Sequence, residues 1–572
     1  MNDARPASLA RAREVARTVF GHDDLLPGQR DAIAALLEGD DVLLVSATGS
    51  GKSLAYQVPG VLADGPTLVV SPLLALQQDQ LDGLPDDRRT RGARISSAES
   101  DAQREEALER TRRGEVEFLA LSPEQLANDV VREVVAGLRP SLVAVDEAHC
   151  VSHWGHDFRP DYLRLGALLA DLGSPQVVAL TATAAGPVRE DIVERLGLRS
   201  PRVVVAGFGR DNLALSVERC VDADDQRARV LDTVVSSAGP GIVYCRTRRS
   251  AETYADRLAE LGTTVATYHA GLGARRRREA HEAFRNGDVD VVVATSAFGM
   301  GIDKADVRFV LHVEVPESPD TYYQEVGRAG RDGEPAFGVL FYRPEDLALG
   351  RFFSPGVPDE RHVATVLGAK RSDPGQDRRA VAERTGLGPR RTARILNLLD
   401  EVGTGPGSAD DADEVVAAVI ALAEGRRKIE RSRVEMMRGY AESDRCRMQF
   451  LLGYFGERTE EVCDRCDRCR SGTAAAPPPT DSPYDVGDAV RHPEFGPGTV
   501  VDLEGGVVTV LFEEVGYRTL DADIVADKGL LETGVSAADD VGVVSRRRPP
   551  APDGPTPTAR PARPPTDAAG HP

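Results

Sequence analysis

Lysine is nearly absent from this chain: five, at positions 52, 304, 370, 428 and 528, stand among 70 basic residues, and the rest are arginine. Tryptophan occurs once, at Trp154. No apolar run approaches the roughly 20 residues that a membrane-crossing helix needs, so no membrane role is expected. Met1 to Gly21 alternates arginine with alanine and lacks the apolar centre of an export signal. A cytoplasmic protein is expected, associated with the nucleoid if the source is bacterial. A positive net charge is also missing, since 91 acidic residues leave a balance of −21. Taken alone, that balance argues against nucleic-acid binding. Charges more than about 10 Å apart are screened, however, so a groove can be positive on an acidic protein.

What is present is a long, soluble-looking chain. At 572 residues, with 28% charged and 41% hydrophobic side chains, it calls for several domains. Short β-branched runs alternate with helical patterns from about residue 10 to 350. They include Val42–Val45, Thr67–Val70, Phe118–Leu121, Leu142–Val145, Val177–Leu180, Gly241–Tyr244, Val291–Ala294 and Val307–His312. Apolar runs of this length between helices predict buried parallel sheets, an α/β class. A pause in composition near Arg199–Arg210 divides them into two lobes, residues 10–200 and 201–354. A helical region at 355–437, a cysteine-rich element at 438–471 and an Ala/Pro linker at 472–483 follow. Residues 484–533 return to strands with regular turns, which suggests a small barrel, and 534–572 are Pro/Ala/Arg-rich and expected to be disordered.

Ser46-Ala47-Thr48-Gly49-Ser50-Gly51-Lys52-Ser53 joins a strand to a helix. A glycine-rich turn at a helix start aims backbone N–H groups at phosphates, so Thr48, Gly49, Ser50 and Gly51 would cradle ATP. Lys52 would meet the β and γ phosphates and Ser53 would bind Mg2+. Asp146 and Glu147 end a predicted strand, where a parallel sheet binds ligands. Asp146 would hold the magnesium, and Glu147 would orient and deprotonate the attacking water. Gln324-Glu-Val-Gly-Arg328-Ala-Gly-Arg331 lies in the second lobe, from which its arginines could reach the γ-phosphate across a cleft. Cys463-x-x-Cys466-x-x-Cys469, with Cys446 upstream, offers four thiolates to one tetrahedral Zn2+. Cys150, Cys220 and Cys245 are scattered and read as small packed hydrophobes. Asp377–Gly403 has the order of a helix-turn-helix, with Arg390, Arg391 and Arg394 expected to face outward toward phosphates.

Together these segments resemble a superfamily 2 helicase and, within it, the RecQ family, nearly without gaps from about residue 18 to 350. Further matches are Phe20-Gly21 with Pro27-Gly28-Gln29, Ser71-Pro72-Leu73-Leu74-Ala75-Leu76, Thr181-Ala182-Thr183-Ala184, Tyr268-His269-Ala270-Gly271-Leu272 and Ala297 through Lys304. The resemblance implies two RecA-like lobes, 3′ to 5′ movement on single-stranded DNA, and unwinding of forked duplex in recombination and repair. It also implies that Gln29 reads adenine, that Gln324 belongs to the ATP site, and that the loop holding Trp154, His156, Phe158 and Arg159 contacts DNA. Leu26 stands where the family usually has arginine, and His153 where it usually has glutamine. The family's winged helix after the zinc element is not expected in residues 484–533, which read as strands. Residues 484–533 are instead similar to SH3-like or Tudor-like barrels, which, with the tail, could bind a protein partner. A monomer is expected. Two alternatives stay open: an RNA helicase, and a DNA-bound architectural protein whose ATPase only gates attachment.

Overall fold

The computed structural model describes residues 8–533, apart from 48, 73–76, 78–80, 82–83, 85–90, 97–98, 153–158, 300–303, 349–355, 374–375, 404–410, 456, 458, 460, 475–481, 505 and 514. The tail, Thr48, and the DNA-loop residues Trp154, His156 and Phe158 therefore lie outside the described residues.

The first sheet contains β1 (Val42–Ser46), β2 (Thr67–Val70), β3 (Gly92–Ile95), β4 (Phe118–Leu121), β5 (Leu142–Val145), β6 (Gln176–Thr181) and β7 (Arg202–Ala206). All are parallel, in the order β3-β4-β2-β5-β6-β1-β7. Every residue of β1, β2, β4 and β5 is buried, as strands covered by helices on both faces must be. β7 extends the first lobe to Ala206, past the boundary at residue 200 suggested by composition, because its pairing with β1 completes the sheet edge. The second sheet, β8 (Leu213–Arg219), β9 (Gly241–Tyr244), β10 (Val265–Tyr268), β11 (Val291–Ala294), β12 (Phe309–His312) and β13 (Ala336–Tyr342), is also wholly parallel. Its order is β10-β11-β9-β12-β13-β8. The expectation of two parallel-sheet lobes is met.

Helices Glu360–Ser372, Arg378–Thr385 and Pro389–Glu401 form a bundle with its own apolar core. Gly386, at φ 67, makes the left-handed turn that ends the Arg378–Thr385 helix. The bundle closes on the first half of a 31-residue helix, Ala412–Glu442, through Val415, Val419 and Ala423. This helix crosses the boundary at residue 437 drawn from the sequence. Its start is favoured by Asp411, whose side chain accepts from the Asp413 N–H, and by Asp413 and Glu414 in the first turn. Its second half, with Val434, Met437 and Tyr440, joins the core that runs through the two lobes.

The cysteine-rich element is tied to this helix by one buried cation. Arg447, 1% exposed, makes two parallel bonds of 3.0 Å to Asp467 and donates at 3.1 Å to the Ser443 carbonyl. Its guanidinium also donates to the Tyr440 carbonyl, at the helix end.

The last element is an antiparallel sheet of β14 (Ala489–His492), β15 (Gly496–Glu504), β16 (Val507–Phe512), β17 (Gly516–Asp521) and β18 (Glu532–Thr533), ordered β17-β16-β15-β14-β18. The strands do not close into a barrel, since β17 and β18 remain edges. The sheet docks on the long helix, where the Tyr517 N–H donates to Ser432 Oγ at 3.0 Å and Tyr517 stacks on Tyr454 at 5.1 Å. Arg445 pairs with Asp502. Among the described residues no helix is long and apolar enough to cross a membrane.

Replacing the buried Arg447 strands a carboxylate and two carbonyls. Arg447→Met is expected to lower unfolding free energy by about 3 kcal/mol or more, read as an earlier urea midpoint. An unchanged midpoint would show that this pair contributes nothing.

Candidate active site and metal centre

The turn after β1 carries Gly49 at φ 81 and Gly51 at φ 67, conformations that side chains with a Cβ rarely adopt. These two left-handed residues wrap the loop round before helix Leu54–Leu62 begins. Lys52 Nζ donates to the Ser46 and Ala47 carbonyls at 3.0 and 3.2 Å, holding the ammonium inside the loop. Desolvation there pushes its pKa down, with Arg331 adding to the effect, while Glu147 and Asp146 oppose it. Ser46, where glycine or alanine is usual, bonds Ser50 Oγ at 2.7 Å and so braces the turn. Gln29, buried at 6% exposure, donates to the Ser50 and Gly51 carbonyls at 2.9 and 3.0 Å. Its amide therefore rests on the loop. Gly51 permits this, since a Cβ there would lie 2.8 Å from Gln29 Nε2.

Asp146 and Glu147 follow β5. Tyr162 donates to the Asp146 carbonyl at 3.0 Å, and the Glu147 N–H donates to Asp146 Oδ1 at 3.0 Å. Glu147 adopts φ 48 and ψ 45, a left-handed conformation that costs a non-glycine residue about 1–3 kcal/mol. The turn aims its carboxylate at His149, whose Nδ1 lies 3.3 Å from Glu147 Oε2 and 2.9 Å from Thr181 Oγ1. Thr181 donates to the Thr183 carbonyl at 3.0 Å, and Thr183 Oγ1 accepts from Gln324 Nε2 of the second lobe at 3.3 Å. A continuous polar chain thus runs from the acidic pair to the other lobe. In the sequence Thr181 and Thr183 are visible as motif members and His149 stands two residues after Glu147, without a sign that they form this chain. Nothing in the sequence marks Tyr162.

The two arginines of the second lobe are placed differently. Arg331 lies over the glycine turn, where a Cβ on Gly49 would come 3.0 Å from its Cγ. Arg328 is buried at 6% exposure; burial pushes up the pKa of Tyr244 in the same lobe, and the charge of Arg328 acts, more weakly, to lower it. The structure therefore brings Lys52, Asp146, Glu147 and Arg331 within one electrostatic neighbourhood, sets Gln324 beside Thr183, and keeps Arg328 buried beside Tyr244 of the second lobe. Ser53 sits at the start of the next helix. Arg159 donates from Nη1 to the Pro72 carbonyl at 3.1 Å and from its backbone N–H to the Cys150 carbonyl at 2.9 Å, which anchors the end of the stretch after Asp146 and Glu147.

The sulfurs of Cys446, Cys463, Cys466 and Cys469 all lie within 4.8 Å of one another. Measured pairs are 4.0 Å (Cys463–Cys469), 4.0 Å (Cys446–Cys466) and 3.4 Å (Cys466–Cys469). A tetrahedral zinc with Zn–S near 2.3 Å sets sulfurs about 3.8 Å apart, so the group fits. Backbone N–H groups favour thiolates here: Cys463 donates to the Cys446 sulfur at 3.3 Å, and Cys469 and Arg447 to that of Cys466 at 3.4 and 3.5 Å. Four cysteine ligands leave no open position, so the zinc is structural. Cys150, Cys220 and Cys245 are buried apart from this cluster.

Of the three arginines expected to face outward from the helical bundle, Arg390 and Arg391 do. Arg394 does not: it is half-buried, and burial lowers its pKa while nearby Glu430 of the long helix offsets part of the effect.

A DEAD/DEAH box helicase family model matches residues 26–192, a helicase conserved C-terminal domain model residues 226–333, and a RecQ zinc-binding model residues 411–470. The ATP-dependent DNA helicase RecQ of Haemophilus influenzae is 34% identical over 461 residues, covering 80% of this chain and 63% of that protein. The chain thus spans less than two thirds of that relative. RecQ of Bacillus subtilis is 31% identical over 517 residues (90% of this chain, 76% of that protein). The probable ATP-dependent DNA helicase RecS of Bacillus subtilis is 34% identical over 457 residues (79% and 90%). Among solved structures, the DUF1998 helicase MrfA bound to DNA shares the fold, with a TM-score of 0.50 at 20% identity over 58% of this chain and 51% of that one.

Metal analysis of the purified protein is expected to give one zinc per chain. A folded Cys466→Ser protein that kept its full zinc would refute the four-thiolate site.

Proposed function

The chain belongs to the RecQ family, and on that premise we propose that it is an ATP-dependent DNA helicase moving 3′ to 5′ on single-stranded DNA and opening forked duplex in recombination and repair. The observation that carries this reading is the meeting of both lobes at one loop, with Arg331 over the glycine turn and Gln324 bonded to Thr183. A site split between two bodies makes their closure depend on the nucleotide and their separation on its hydrolysis, which is what a motor requires.

In the proposed mechanism Lys52 exchanges the Ser46 and Ala47 carbonyls for the β and γ phosphates, and the turn from Thr48 to Ser53 cradles them. Ser53 and Asp146 would hold Mg2+, which would supply positive charge against the phosphates. Glu147 orients the attacking water and takes its proton. Arg331 stabilises charge on the transferring phosphoryl group, with Arg328 moving up on closure. An arginine in this role is worth on the order of 10³ to 10⁵ in rate. Gln29 exchanges its loop carbonyls for the adenine edge, and Gln324 with Thr183 reports the outcome to the other lobe. Trp154, His156, Phe158 and Arg159 stack on or contact DNA, at about 1–3 kcal/mol per stacked base.

In this reading the first lobe, which ends at Ala206 and not at 200, binds ATP, and the second lobe completes the site. The helical region and the zinc element share the helix Ala412–Glu442 across the boundary drawn at 437, and the linker and last module follow at 472–483 and 484–533. The last of these is read as an SH3/Tudor-like partner site, a reading supported by five antiparallel strands around their own apolar core. The protein would act as a monomer in the cytoplasm, at the nucleoid.

Hydrolysis measured alone, with single-stranded DNA and with single-stranded RNA tests the reading. Stimulation by DNA only is expected; stimulation by RNA, or by neither, would overturn it. Lys52→Ala should abolish turnover while sparing DNA binding, and retained turnover would remove the nucleotide assignment. Trp154→Ala should cut DNA-stimulated hydrolysis at least tenfold more than basal hydrolysis. Equal loss of both would assign that residue to packing instead.

A further inference from the structure

Residues Glu360–Glu401 carry nine basic and six acidic side chains, a surplus of three positive charges within a chain whose total is −21. Much of that charge is already committed. Lys370 pairs with Asp400 at 2.6 Å, Arg379 with Glu383 at 3.1 Å, and Arg384 donates to the Ala369 carbonyl and Ser372. Arg426 of the long helix takes Glu401. What is left points outward: Arg361, Arg378, Arg390 and Arg391 are exposed, and their guanidinium groups make no hydrogen bond or ion pair among the described residues.

The two neighbours Arg390 and Arg391 occupy the first turn of helix Pro389–Glu401. Beyond that turn the helix is covered. Thr392, Ile395, Leu396, Leu398 and Leu399 are buried, and Ala393, Arg394 and Asn397 are half-buried against the bundle and the long helix. A helix that reads bases in the major groove presents several side chains along its exposed face. Here only Pro389, Arg390, Arg391 and Asp400 are exposed, and Asp400 is spent on Lys370. The helix-turn-helix order is present, yet the face that would enter a groove is buried.

We propose that this bundle is a sequence-independent clamp on duplex DNA, gripping the phosphate backbone through Arg390 and Arg391, with Arg378 from the preceding helix adding to it. The occupant is argued from charge complementarity: guanidinium groups without a protein partner, on a locally positive body of an acidic chain, suit a phosphate backbone. Arginine forks match phosphate oxygens two at a time and carry no base information. The bundle has its own core, continuous with the zinc-bearing end of the chain through one unbroken helix, so a grip there is mechanically joined to the motor. The proposal rests on the reading of the chain as a DNA motor and adds where the unopened duplex is held.

The test is binding of a blunt fluorescent duplex by the full-length protein and by Arg390→Gln/Arg391→Gln, measured across a salt series and on two unrelated sequences. Both residues are exposed, so the variant is expected to melt as the parent does. Duplex affinity should fall several-fold, equally on both sequences. The slope of log affinity against log salt should flatten by about 0.9 for each phosphate that the variant no longer neutralises. Hydrolysis should remain responsive to single-stranded DNA. An unchanged duplex slope, a weakening confined to one sequence, or an equal weakening on single strands would overturn the proposal. Failure of the parent to respond to any single strand would instead count against the motor reading, whatever the duplex slope shows.

Discussion

One buried guanidinium joins the parts of this molecule that would otherwise be separate. Arg447 follows the zinc ligand Cys446, reaches back to the carbonyls of Tyr440 and Ser443, and clasps Asp467 beside the ligand Cys466. Asp467 also accepts from the Val217 N–H of β8, at the edge of the second sheet. Tyr440 in turn bonds Tyr322 of the second lobe at 3.1 Å. A charge this deep is tolerated only because every face of it is met by an acceptor. Its geometry therefore fixes four bodies at once: the long helix, the zinc element, the second lobe and, through Tyr454 and Tyr517, the C-terminal sheet.

That arrangement clarifies how an acidic chain can serve a polyanion. The acidic surplus is spread along the molecule, whereas cations are placed where they are needed and are otherwise neutralised locally. Arg331 is held over a glycine turn, and Arg390 and Arg391 are left without partners, while Arg384, Arg426 and Lys370 are absorbed into the bundle's own bonds. Total charge is a poor guide to a surface on which position decides.

The sequence is most legible where a residue's role depends on its neighbours in the chain. Strands buried on both faces read as unbroken apolar runs, and β1, β2, β4, β5, β9 and β11 stand where those runs predict them. The strands left out of that reading are mostly sheet edges: β7, β8 and β10 are half-exposed there, although Val203–Val205 of β7 reads as apolar as a buried strand, and β13 contains Gly338, which reads as a break. In the fold that glycine is required, because a Cβ there would sit 2.2 Å from Val326 Cγ2. The glycine turn and the four cysteines are equally legible, since spacing alone dictates their chemistry. What spacing does not tell is which of two arginines three positions apart crosses between lobes, or that Arg394 turns inward toward Glu430. Both depend on packing between segments distant in sequence, as does the open edge that keeps the last sheet from being a closed barrel.

The helix Ala412–Glu442 has a further consequence for scale. Its 31 residues make a rod about 46 Å long at 1.5 Å per residue. One end is seated beside the zinc and the second lobe, the other in the helical bundle. A tilt of about 10° at the seated end would sweep the far end through roughly 8 Å, more than two base-pair steps at about 3.4 Å each. In the proposed motor, small rotations at the seated end would thus be geared up into displacements larger than a base-pair step.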